Sequence, residues 1–262
     1  MIKVILILFC IFVFNPVHSQ GDTLGQARDI NTSVTNKSGN KTIKTIIYAT
    51  GYAAATLVCY RYFDTGIKNF AQSNQNETIT DIAKAYEYLG TGTSSIVITA
   101  SAGVAALITK DKRLVKTTIL LVGGHVINDI VTNQVKITFQ RHRPNTGDPY
   151  NTLDWRGGPK TNLSFFSAHT SNIFTTATAF ATCFKKTKWV PVLAYSAAGL
   201  VGICRIYNNE HWASDVLAGA ACGFASGKAM NGIYKLLSKR FSFLPEVNAG
   251  HYGITASYCI KS

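Results

Sequence analysis

The sequence predicts an all-α fold: a six-helix bundle, embedded in or associated with a membrane, closed by a short irregular or β-like C-terminal tail. Three observations predict it. Six apolar stretches, at about 43–60, 94–108, 117–135, 171–184, 189–206 and 213–233, recur with short polar breaks. They are rich in Ala, Gly, Val and Ile and long enough for helices rather than strands. Their Gly and Ala content suits close helix–helix contact. A clean span needs about 20 apolar residues, and Thr, Asn and Gly interrupt most of these stretches. The mean hydropathy of +0.11 sits accordingly between soluble proteins and dense multi-span ones.

In chain order, residues 1–19 read as a signal peptide. Lys3 precedes an apolar run from Val4 to Phe14, and Val17-His18-Ser19 stands before Gln20 as a cleavage region. Cys10 lies inside that run without the small residues a lipidation signal needs. Residues 20–41 form a polar, Asn/Thr/Ser-rich segment, 42–240 the helical domain, and 241–262 a tail broken by Pro245, Gly250 and Gly253. Within the tail, 252–260 alternates loosely as a strand does. After the signal, Cys59, Cys183, Cys204, Cys222 and Cys259 are odd in number and spread through apolar stretches. They read as buried small hydrophobes that leave room for one disulfide, not as a disulfide framework or a zinc site.

The chain carries 26 Lys+Arg against 13 Asp+Glu, a net charge of +13. Such a balance favours phosphate esters and acidic lipid head groups. The cations form no long run and no aromatic-interleaved basic motif, so no nucleic-acid partner is expected. Lys110, Lys112, Arg113 and Lys116, and again Lys185, Lys186 and Lys188, lie between helices, opposite the polar motif-bearing connections. The positive-inside rule puts these basic connections in the cytoplasm and the motifs outside. A signal plus six full spans would give the reverse orientation; the conflict resolves if one stretch does not span or if the whole bundle is secreted and sits in or on the envelope, and the number of spans is left open.

Three segments carry chemistry. The third apolar stretch ends in Lys136 and, seven residues on, Arg143-Pro144. That spacing places both cations on one helical stripe, while Pro144 biases Arg143 out of the helix. Lysine and arginine at such a site offer a point charge and a planar fork for phosphate oxygens. The fourth stretch opens with Ser167-Ala168-His169, where Ser167 suits an N-cap and free backbone N–H groups suit an anion. The third segment holds Arg205, His211 and Asp215. At helical i, i+4 spacing, Asp215 reaches back to one imidazole nitrogen of His211 and leaves the other free to attack.

In order and spacing, these segments resemble the phosphatidic acid phosphatase type 2 (PAP2) superfamily, which includes class A acid phosphatases and vanadium haloperoxidases. The resemblance covers about 117–233 and implies a PAP2-like bundle with a metal-independent phosphatase activity and no cofactor. It implies that Lys136, Arg143 and Arg205 hold the phosphate, with Ser167 and the backbone at Ala168 assisting. His211 is then the nucleophile that becomes a phosphohistidine, Asp215 orients it, and His169 protonates the leaving oxygen. The sequence departs from the family pattern at Phe166, at Ala168 in place of Gly, and at Cys204 in place of Ser. Modest changes in affinity are expected from these, the alanine being less free than glycine at positive φ.

The remaining polar groups receive smaller roles. His142 is read as a local structural or head-group contact, and Glu210 as solvated or turn-stabilising. His125, Asn128 and Asp129 are read as a polar network on the third helix, and Asp154-Trp155-Arg156 as a rim of the entrance or, equally, a mobile loop. The leading expectation is a phosphatase of the cell envelope, reached through the secretory pathway, with its active site facing the periplasm or exterior. Its substrate is an anionic lipid phosphate or diphosphate of the phosphatidate, isoprenyl diphosphate or lipid A class. The alternatives are a soluble secreted acid phosphatase of broad specificity, a vanadate-dependent haloperoxidase, and an inactive lipid-binding envelope protein.

Overall fold

A computed structural model describes residues 31–158, 162–238, 241–248 and 251–258. The predicted signal peptide, Cys10 and Cys259 lie outside the described residues. The chain divides into two compact units, Met1–Val58 and Cys59–Ser262. In the first, helix α1 (Asn31–Val58) covers the first apolar stretch and starts well ahead of it, inside the segment read as a polar lead.

The second unit opens with a π-helical turn, Cys59–Phe63, followed by α2 (Asp64–Ser73) and α3 (Glu77–Glu87). Sequence periodicity assigned no helix here, because the apolar stripe of each is short and set among charged residues. Asn76 starts α3, its side chain accepting from the Ile79 amide. The other five apolar stretches are all helical: α4 (Gly92–Thr109), α5 (Lys112–Phe139), α6 (Ala168–Cys183), α7 (Trp189–Tyr207) and α8 (Ala213–Leu237). Thr91, Asp111 and Ser167 cap α4, α5 and α6 by accepting from backbone amides two or three residues on.

α6 is the centre of the bundle, packed between α5, α7 and α8. Its interior face is small and hydroxylated: Thr170, Ser171, Thr175, Thr178 and Ala179 are all buried. Their hydroxyls turn back onto the helix, Thr175 to Ser171 O and Thr178 to Phe174 O. Against this face α8 presents Gly219, Gly223 and Gly227, one per turn. A Cβ at Gly223 would stand 2.1 Å from Ser171 O, one at Gly219 2.6 Å from Ser167 O, and one at Gly227 2.7 Å from Thr178 Cβ. The two backbones therefore approach as only glycine allows.

The outer surface reverses the usual order. Ile96, Val97, Val104 and Ile108 of α4, Val122, Val126 and Ile130 of α5, and Val192, Leu193 and Ile203 of α7 are exposed. Small polar residues inside and large aliphatic ones outside are what a bundle in lipid requires. α4, α5 and α7 are each long and apolar enough to cross a membrane. Two apolar clusters fix the helices to one another: Leu120 and Leu121 with Ala102 and Ala179, and Ile173 and Ala177 with Ala198 and Val201.

The tail is a hairpin, β1 (Phe241–Asn248) antiparallel to β2 (His251–Tyr258), with Phe241 opposite Tyr258 and Pro245 opposite Ile254. Residues 252–258 of the alternating segment thus lie in a strand. Its partner, read as irregular because of Pro245, pairs as well; in a two-stranded ribbon every strand is an edge, where proline is tolerated. Among the described residues, Cys59, Cys183, Cys204 and Cys222 form no disulfide.

Candidate active site

Four helix ends meet at one end of the bundle: the C-termini of α5 and α7 and the N-termini of α6 and α8. α5 stops at Phe139, and Gln140 takes a left-handed conformation (φ 46°) that turns the chain. Arg143 is therefore not on a helical stripe with Lys136, as the spacing suggested. It lies in extended backbone (φ −80°, ψ 156°) before Pro144, the conformation that proline imposes on its predecessor. The two cations still converge. Lys136, buried, donates to Leu163 O from within the helix, and Arg143 reaches Glu210 from the loop.

Arg205, 4 % exposed, lies in the last turn of α7. Its guanidinium donates to Glu87 at 2.7 Å and to Glu210 at 3.4 Å. The Glu210 carboxylate consequently sits between Arg143 and Arg205. The solvated or turn-stabilising role expected for Glu210 is corrected: Asn209, left-handed at φ 58°, reverses the chain and swings Glu210 back over the site. Glu87, which no motif marked, arrives from the end of α3 and also accepts from Asn208 at 2.8 Å.

His211 is 2 % exposed and stands in the connection before α8, not on it. The i, i+4 helical face is therefore not what relates it to Asp215. Asp215 is the third residue of α8 and accepts from the Trp212 amide at 3.1 Å. Its Oδ2 lies 3.7 Å from His211 Nδ1, beyond hydrogen-bond length, while Ser164 Oγ stands 3.4 Å from Nδ1 and donates to Oδ2 at 2.5 Å. Ser164 thus joins the pair. Burial pushes the His211 imidazole down to about 3; the charges of Lys136 and Arg205 act in the same direction and Asp215 opposes them. The ring is neutral across the physiological range.

Ser167 caps α6, accepting from the Thr170 amide and hydroxyl at 3.3 and 2.9 Å, and its own amide donates to Asp215 O at 3.1 Å. Ala168 opens the helix with ordinary helical backbone, so the positive φ that would favour glycine is not required. His169 follows, half-buried and facing the charges of Arg205, Glu87, Lys136 and Arg143. Gly90 fits against it so closely that a Cβ there would meet His169 O at 2.7 Å and His169 Cβ at 2.9 Å. All eight sequence-predicted residues therefore gather at one end of the bundle.

Sequence reasoning missed the support beneath them. Arg141, 1 % exposed, bonds Asp215 at 2.5 Å, Asp64 at 2.7 Å, Ser214 Oγ at 2.8 Å and Tyr150 O at 2.7 Å. Asp64 in turn accepts from the Ser214 amide and hydroxyl at 2.8 and 2.6 Å. Arg141 was visible only as a third basic residue beside Arg143, and Asp64 carried no signal, being distant in sequence. The loop above is fastened by His142, which contacts Asp148 at 2.6 Å and Asp154 at 3.0 Å; the Asp148 hydrogen bond raises its pKa. The network expected on α5 is smaller than predicted. His125 meets Thr176 at 3.1 Å and Asn128 donates to Asn172 at 2.7 Å, but Asp129 lies on the exposed face of α5.

Residues 117–239 match the family model described as the PAP2 superfamily. This segment belongs to the PAP2 superfamily. A lipid A 1-phosphatase of Porphyromonas gingivalis is 38 % identical over 109 residues, which are 41 % of this chain and 20 % of that protein. The chain thus matches about a fifth of the length of that curated relative. Two solved structures share the fold. One is a transmembrane PAP2-type phosphatidylglycerolphosphate phosphatase from Bacillus subtilis, with TM-score 0.53 and 17 % identity, covering 72 % of this chain and 96 % of that one. The other is Aquifex aeolicus LpxE, with TM-score 0.51 and 20 % identity, covering 64 % of this chain and 94 % of that one.

Proposed function

We propose that this PAP2 protein is a membrane-embedded, metal-independent phosphatase that hydrolyses a lipid phosphate or diphosphate through a phosphohistidine. The observation that carries the reading is the convergence of Arg143 and Arg205 on the Glu210 carboxylate beside neutral His211. Two guanidinium forks aimed at one anion form a ready phosphate cradle, with Lys136 as the third charge. A phosphate entering it displaces Glu210 and Glu87 from the arginines.

The chemistry follows from the positions. The Nδ1 side of His211 faces Ser164 and Asp215, leaving the Nε2 lone pair for phosphorus. Attack by Nε2 forms the N–P bond as the P–O bond to the lipid breaks. His169 delivers a proton to the departing oxygen, then accepts one from the water that cleaves the N–P bond and releases phosphate. Lys136, Arg143 and Arg205 neutralise the equatorial oxygens, and the buried setting raises the value of each contact. Asp215, fixed by Arg141 and Ser164, orients the imidazole and balances the charge it acquires.

A lipid substrate is favoured by the aliphatic outer surface that reaches the site along α4, α5 and α7. Among lipid phosphates, the resemblance to the relative named lipid A 1-phosphatase supports a lipid A-type phosphate. The basic connections at the opposite end favour an active site on the periplasmic or exterior side. The test is phosphate release from a panel of lipid and soluble phosphomonoesters in EDTA, comparing wild type with His211→Ala. Activity on a lipid phosphate that persists in EDTA and falls at least ~10³-fold in the variant is expected, since removing a nucleophile abolishes the covalent route. Equal activity in both proteins refutes the mechanism.

A further inference from the structure

At the end of the bundle opposite His211, the helices frame an open concavity of about 590 Å³. Lys112, Arg113 and Lys116 enter it from the start of α5, Lys185 from the α6–α7 connection, and Lys228 and Lys235 from the last turns of α8. Among the described residues no acidic side chain lines it. Arg113 is paired with Asp111 at 2.7 Å, whereas the five lysines make no ion pair among the described residues.

Like charges converging on one hollow raise the energy of the empty state, and aromatic rings hold some of them there. Lys116 lies 5.1 Å from the centre of the Tyr234 ring, which also lines the hollow; Lys228 lies 5.2 Å from that of Phe224, outside it. A second, independent observation concerns two lining side chains. Asn231, 9 % exposed, and half-buried Thr182 both line the hollow, and neither Asn231 Oδ1 nor Thr182 Oγ1 has a hydrogen-bond partner among the described residues. Buried polar atoms are rarely left unpaired unless something else completes them. The Thr182 hydroxyl supplies a donor for an anionic oxygen, and Asn231 Oδ1 an acceptor for a hydroxyl.

We propose that this hollow binds the phosphate head group of an anionic membrane lipid, apart from the catalytic cage. The depth argues for lipid over free anion. Lys116 and Lys136 lie on one helix, roughly 30 Å apart at 1.5 Å per residue, which is the thickness of a bilayer's hydrocarbon core. If the cage works at one head-group layer, the hollow lies at the other, where a basic pocket between helices meets lipid phosphates. A glycerol head group would also use the acceptor at Asn231. The inference rests on the reading that the bundle crosses a membrane and not on its catalytic chemistry.

The experiment is native mass spectrometry of the full chain released from mixed micelles of neutral detergent with phosphatidylglycerol or with phosphatidylcholine. It is run on wild type, on Lys116→Gln/Lys228→Gln/Lys235→Gln, and on Arg205→Gln as a cage control. Wild type and Arg205→Gln should retain phosphatidylglycerol over phosphatidylcholine. The triple variant should lose that preference by about fivefold per lysine, with phosphatase activity unchanged. Single Lys116→Gln and Lys235→Gln variants carry the same test if the triple variant does not fold. Retention unaltered by the lysine substitutions overturns the proposal, and so does inorganic phosphate binding without lipid retention. Release of the chain from cells without detergent would overturn the membrane reading and this one with it.

Discussion

Arg141 and Asp215 form an ion pair at 2.5 Å from which solvent is excluded, the side chains being 1 % and 0 % exposed. Asp64 takes the other side of the same guanidinium at 2.7 Å. One cation thus holds two buried carboxylates, and through Asp215 and Ser164 it holds the orientation of His211. Removing one partner of a buried pair costs about 3–5 kcal/mol, because the remaining charge stays uncompensated. Arg141→Gln should therefore lower the thermal unfolding midpoint in detergent sharply and reduce phosphate release. An unchanged midpoint would remove Arg141 from the support of the site.

The acid limb of activity should lie far below that of an ordinary histidine. His211 is held near 3 by burial and by the charges of Lys136 and Arg205, so its nucleophilic form persists well under pH 6.5. The stability sign follows: the unfolded chain takes the proton first, so the contribution is present above about pH 6.5 and declines as pH falls toward 3. Unfolding midpoints measured across that window should fall less steeply in His211→Gln than in wild type. Identical slopes would contradict a buried neutral imidazole.

Glu87 is paired with Arg205, a cation proposed to hold the substrate phosphate. Glu87→Gln keeps the side chain's size and removes its charge, so inorganic phosphate should inhibit the variant at several-fold lower concentration. That expectation is read from the inhibition constant, with the unchanged fold checked by unfolding. A weaker inhibition would mean that Glu87 assists anion binding instead of opposing it.

Gly223 sets the distance between α6 and α8. A methyl group there meets Ser171 O at 2.1 Å, a backbone atom that cannot rotate away. Gly223→Ala should destabilise the bundle by about 1–3 kcal/mol through overpacking. It should also lower activity, because α6 carries Ser167 and His169 while α8 carries Asp215. Gly232, where an added Cβ meets nothing within 4 Å, gives the control: Gly232→Ala should leave activity unchanged and stabilise α8 by up to about 1 kcal/mol.

The sequence by itself determined the bundle and the chemistry-bearing ends of its helices. Apolar stretches of helical length, the cap at Ser167 and the order of Lys136, Arg143, Ser167, His169, Arg205, His211 and Asp215 are local properties, written in consecutive residues. Its helical geometry for His211 and Asp215 failed, because the chain bends at Asn209 and α8 begins only at Ala213. The tertiary structure alone decided the support and the occupancy of the site. Arg141 meets Asp64 and Asp215 across long stretches of chain, Glu87 reaches Arg205 from a helix the hydropathy pattern did not reveal, and Glu210 is turned inward. The physical reason is range: hydrophobic period and capping act over a few residues, whereas a buried charge is stabilised only by partners that folding brings from elsewhere in the chain.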